Sequence, residues 1–73
     1  MDKKAENFKR LAENRTNKII DMLELLGNLS NKSNYSYTQE QVELIFDSIE
    51  AELEIQKQKF LKKEEPKKKK FRL

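Results

Sequence analysis

The stretch Leu26-Gly27-Asn28-Leu29-Ser30-Asn31-Lys32-Ser33-Asn34-Tyr35-Ser36-Tyr37-Thr38-Gln39-Glu40-Gln41-Val42 decides how this chain folds. Asn28, Ser30, Asn31, Ser33, Asn34 and Ser36 dominate its middle. Such side chains hydrogen-bond to nearby backbone and favour turns over helix interiors. Directly after them comes a helix start. Thr38 is placed to cap a helix and Gln41 stands three residues on, the spacing of a capping box. Tyr37 before the cap and Val42 after it are placed for a hydrophobic staple. Gly27, before the turn, is positioned for a left-handed helix cap or a close backbone approach.

On either side of this bend the apolar residues recur at helical spacing. Phe8, Ala12, Arg15, Ile19, Met22, Leu26 and Leu29 follow alternating steps of four and three, which marks one face of a heptad. Val42, Phe46, Ile49, Leu53, Gln56 and Phe60 do the same on the far side. The pattern predicts an all-α chain. It sets a helix over 2–29, a loop over 30–37 and a helix over 38–63, together a hairpin of residues 1–63, with a flexible basic tail over 64–73.

A short loop between two amphipathic helices makes them antiparallel neighbours. The seams then pair Leu26 with Val42, Met22 with Phe46, Ile19 with Ile49, Arg15 with Leu53, Ala12 with Gln56 and Phe8 with Phe60. The second helix, Thr38 to Leu61, holds six acids and two lysines; the first, Asp2 to Leu29, holds six bases and five acids. Arg15 falls opposite Glu52 and Glu54, where its stem can lie on the seam and its head can pair with acids.

Leu11, Ile20, Leu23, Leu25, Leu44, Ile45, Ile55 and Leu61 widen both seams beyond what one facing helix covers, the pattern of a bundle of more than two helices. The chain has 73 residues, and domains this small usually need a staple or a partner. It has no Cys and no His, which excludes disulfides and imidazole ligands. The expectation is therefore a homodimer, two hairpins forming a four-helix bundle, or a hairpin docked on another protein.

The inventory for chemistry is bare. The acids fall on outward helix positions, no His stands by to activate Ser or Thr, and there is no glycine-rich phosphate loop or metal-ligand cluster. No catalytic residue, cofactor site or metal site is expected. Met1 is followed by Asp2-Lys3-Lys4-Ala5-Glu6 with no apolar run behind it, and no segment approaches the ~18 apolar residues of a membrane span. A cytoplasmic location without integral membrane association is the expectation.

Two sets of residues suggest binding, and the expectation is a non-enzymatic accessory or regulatory protein that binds nucleic acid, with a protein-interaction module as the alternative. The first is basic. Lys62, Lys63, Lys67, Lys68, Lys69, Lys70 and Arg72 outweigh Glu64 and Glu65, so residues 62–73 carry +5 and residues 1–61 carry −2 of the chain's net +3. Pro66 breaks any helix there. Folding back would gather Lys3, Lys4, Lys9 and Arg10 with Lys57, Lys59, Lys62 and Lys63 at one pole. Such a pole and tail could grip the phosphates of a nucleic acid; the tail could equally be a solvated terminus. The second set is the bend, where Asn28, Asn31, Asn34, Tyr35 and Tyr37 form a polar and aromatic tip suited to a protein partner. Tyr37 has an alternative role in the staple, which leaves Tyr35 as the more exposed contact.

The elements Arg15-Thr16-Asn17-Lys18, Leu26-Gly27-Asn28-Leu29-Ser30-Asn31 and Asn34-Tyr35-Ser36-Tyr37-Thr38, with Val42 and Ile45-Phe46 after them, resemble a family of small uncharacterised bacterial helical-hairpin proteins often found on plasmids and mobile elements. The resemblance spans about Phe8 to Phe60 and leaves the lysine tail outside. It implies a bacterial mobile-element setting and no particular activity, and it gives the bend more weight than a generic turn would receive.

Overall fold

The structure, a computed structural model, describes residues 2–61. Among these the chain is all-helical and forms no strand. Helix α1 spans Lys3–Gly27, a 3-10 turn follows over Asn28–Ser30, and helix α2 spans Gln39–Leu61. The chain divides into two units, Met1–Ser36 and Tyr37–Leu73, each built on one of the helices.

In the first unit the start of α1 is fixed by Asp2, which is extended (φ −87°, ψ 109°) and so stands outside the helix that the apolar pattern begins at residue 2. Its carboxylate accepts from the Lys4 N–H at 2.9 Å, and its carbonyl accepts from the Glu6 N–H at 3.1 Å. A helix start leaves four amides without a partner in the helix, and an acidic cap satisfies one while meeting the positive end of the helix dipole.

At the other end of α1 the structure corrects the expectation for Gly27. Its backbone is right-handed (φ −61°, ψ −28°), and a Cβ added there would meet nothing within 4 Å. Neither a left-handed cap nor a close approach uses this glycine. Asn28, also right-handed, closes α1 by donating its N–H back to the Glu24 carbonyl. The helical course then tightens into the 3-10 turn and reaches Ser30, a common way to end a helix. Leu29, the last seam residue of the pattern, sits in that turn.

The second unit opens with the capping box read from the sequence. The Gln41 N–H donates to Thr38 Oγ1 at 3.0 Å, and the Thr38 N–H donates to Gln41 Oε1 at 2.9 Å. Thr38 is thus the cap and Gln39 the first helical residue. Tyr37 and Val42 are both half-buried and line one open hollow with Leu44 and Ile45, the arrangement a hydrophobic staple requires. Along α2, Gln56 donates to Glu52 at 2.6 Å and Gln58 donates to Glu54 at 2.8 Å. These one-turn links add a few tenths of a kcal/mol each to a helix. The predicted continuation of the helix to residue 63 and the tail over 64–73 lie outside the described residues.

No described residue is buried. The half-buried ones are Ala12, Leu26, Tyr37, Val42 and Ile49. Four of these five stand on the two seams read from the heptad spacing, and the fifth is the staple tyrosine.

Candidate interaction site

Three surfaces carry the residues expected to bind, and the first unit holds two of them. The basic one begins at the first turns of α1, where Lys3, Lys4, Lys9 and Arg10 are all exposed. Lys3 and Lys4 stand where the helix dipole is positive, an electrostatically unfavourable place for a cation. Asp2 and Glu6 offset this in part. Arg10 Nη2 donates to Asn7 Oδ1 at 3.2 Å, which holds the guanidinium along the helix surface. Lys57 and Lys59 are exposed near the end of α2, where cations match the dipole. Lys62, Lys63, Lys67, Lys68, Lys69, Lys70 and Arg72 lie outside the described residues.

The second surface is the bend. Asn31 organises it. Its side-chain Oδ1 accepts from the Ser33 N–H at 2.9 Å, and its carbonyl accepts from the N–H groups of Asn34 and Tyr35 at 3.1 and 3.0 Å. A short polar side chain that bonds two residues ahead replaces the helical hydrogen bond the backbone gives up on leaving α1. Of the residues expected to meet a partner here, Asn31 is therefore occupied in shaping the turn, and the backbone of Asn28 closes α1. Asn34 and Tyr35 are displayed by the turn; Tyr35 is 48% exposed. Tyr37 turns into its hollow on α2. Within the first unit the bend and the basic start stand at opposite ends of α1, about 37 Å apart for 25 residues at ~1.5 Å each.

The third set of residues is apolar and occurs on each helix. Along α1, Phe8, Ile19 and Met22 are each at least 60% exposed; along α2, Leu44, Leu53 and Phe60 are each at least 64% exposed. A Leu, Ile, Phe or Met side chain gains ~1.5–3 kcal/mol on full burial. Among the described residues none of these side chains is buried. The hollow beside Tyr37 is lined also by Gln41 and Ser48.

Sequence reasoning missed three features. The Asp2 cap was legible as an acidic residue immediately before a helical pattern. The glutamate-to-glutamine links were legible as residues four apart. The work of Asn31 had no signal separating it from its neighbours, because Asn28 and Asn34 are each also followed two residues later by Ser.

Among the described residues no group of three or more acidic, His or Cys side chains could hold a metal ion, and no helix is long and apolar enough to cross a membrane. No family model, no curated protein and no solved structure matches the chain.

Proposed function

We propose that this is a non-enzymatic accessory protein that works by association. The chain doubles back at its Asn-Ser bend into an antiparallel hairpin, and two hairpins join into a four-helix bundle. The bundle presents its bends, with Asn34 and Tyr35 outermost, to a protein partner. One observation carries this reading: no described residue is buried, while large apolar side chains stand exposed along both helices, on the two seams and beside them. Packing of an amphipathic face supplies most helix stability in proteins, and neither helix buries such a face among the described residues. Sedimentation of the purified chain tests it. A dimer at micromolar concentration supports the bundle; a helical monomer there defeats it. For the partner, capture that survives deletion of residues 62–73 and is lost with Tyr35→Ala assigns the bend as the contact surface. Capture unchanged after substituting Tyr35 and Asn34 together refutes that assignment.

A second reading, binding of a nucleic acid, rests on the exposed bases at the start of α1 and on the +5 charge of residues 62–73. Counterion release makes such binding fall steeply with added salt. Absence of binding at low salt, or binding unaffected by removing residues 62–73 and neutralising Lys3, Lys4, Lys9 and Arg10, rejects it.

A further inference from the structure

The order of charge along each helix says which way a second copy runs. At the start of α1 the bases Lys3, Lys4, Lys9 and Arg10 outnumber the acids Asp2 and Glu6, and at its end Asp21 and Glu24 outnumber Lys18. In α2 the order is inverted: all six acids, from Glu40 to Glu54, precede Lys57 and Lys59. A chain that folds back on itself therefore gathers like charges at each pole, acids beside the bend and bases beside the chain start. Like charges brought together oppose association, and this cost persists in any assembly that stacks equivalent poles.

Reversing the second copy removes it. The basic start of one α1 then runs beside the acidic end of the other α1, and the acidic start of one α2 beside the basic end of the other. The apolar seams remain self-complementary in this direction: in α1, Phe8 faces the second copy's Leu26, Ala12 its Met22, and Arg15 its Ile19. A two-fold interface is self-complementary in this sense.

We infer that the exposed apolar faces are covered by a second copy of this chain running opposite to the first, so that the bend of each copy lies beside the chain start of the other. The inference rests on the bundle reading and specifies its direction. It also places Lys3, Lys4, Lys9 and Arg10 at the ends of the dimer interface, next to Asp21 and Glu24 of the second copy. Each end of the bundle becomes a composite surface, with Tyr35 from one copy and lysines from the other.

The absence of cysteine allows a clean test with the full chain. Single variants Ser33→Cys, in the bend, and Asn7→Cys, on the outer face of α1, are spin-labelled and their distances measured by pulsed electron paramagnetic resonance. Mixing the two labelled chains is expected to give a short intermolecular distance, on the order of 20 Å, since neighbouring helix axes are about 10 Å apart and the label arms add the rest. Ser33→Cys alone is expected to give a long one, on the order of 40 Å, because the length of α1 separates the two bends. Short distances for Ser33→Cys alone and for Asn7→Cys alone overturn the inference and leave the bundle standing. A chain carrying both Asn7→Cys and Gln58→Cys, diluted into unlabelled protein, reports the hairpin separately. A short distance there upholds the hairpin, and a long one overturns both it and the inference. Monomeric labelled and unlabelled protein at micromolar concentration overturns the bundle and the inference together.

Discussion

Thr38 and Gln41 satisfy each other's amides: each donates its backbone N–H to the other's side-chain oxygen, at 2.9 and 3.0 Å. Two of the unpaired donors at the start of α2 are met by one pair of side chains. Replacing a capping Thr by Ala costs ~1 kcal/mol. For a chain of this size that lowers the thermal midpoint by about 4–8 °C. Thr38→Ala is expected to do so in a melt followed by circular dichroism. Gln41→Ala should cost less, and the double variant less than the sum of the two, because both singles break the same reciprocal unit. Additive effects would mean that the two bonds act independently.

Asn31 makes a separable prediction. Its side chain serves the Ser33 amide, while its carbonyl serves Asn34 and Tyr35. Asn31→Ala should therefore speed hydrogen exchange at Ser33 and leave the other two amides closer to their original rates. A hydrogen bond contributes about 1 kcal/mol net, so the expected change is roughly fivefold. Asn31→Asp keeps an acceptor in place and should preserve protection. Equal acceleration at all three amides would show that the side chain holds the whole bend.

The sequence disclosed local features where one residue type has one low-energy role. Thr38 and Gln41 form such a case, because the reciprocal bond needs only a hydroxyl and an amide three residues apart. The alternating steps of four and three mark the expected seams; on them Ala12, Leu26, Val42 and Ile49 are half-buried, while Phe8, Ile19, Met22, Leu53 and Phe60 are exposed. Gly27 misled because glycine permits a left-handed cap without requiring one. The 3-10 turn at Asn28–Ser30 closes α1 with right-handed backbone instead. The binding residues were legible only by type. Asn28, Asn31 and Asn34 read alike in the sequence, and it is geometry that shows the Asn31 side chain bonding within the bend.

Gln56 and Gln58 discriminate between the seam and the outer face. Both donate to a glutamate one turn back on α2, yet only Gln56 falls on the apolar seam. A polar residue at a seam position lowers the stability of a helical assembly and contributes to specifying its register. Gln56→Leu is expected to raise the thermal midpoint at fixed protein concentration. Gln58→Leu should leave it unchanged or lower it slightly, since it loses a surface link and buries nothing. An equal response from the two variants would place the interface elsewhere on α2.

In the proposed bundle the open apolar faces would make folding and association one process. Helices α1 and α2, of 25 and 23 residues, bury no described side chain by themselves. Their helicity should therefore depend on concentration, as in obligate dimers, whose stability cannot be separated from protomer concentration. Diluting the protein from the high micromolar to the low nanomolar range is expected to reduce helical ellipticity at 222 nm together with the sedimenting mass. Phe46→Ser should shift both transitions to higher concentration. Truncating a buried Phe costs ~3–5 kcal/mol in a packed core, and each 1.4 kcal/mol corresponds to a factor of ten in the dissociation constant. A two-order shift or more is the expected reading. Helicity that stays constant across the dilution, with Phe46→Ser indistinguishable from the parent chain, would mean that the helices stand without the faces that the seams mark out.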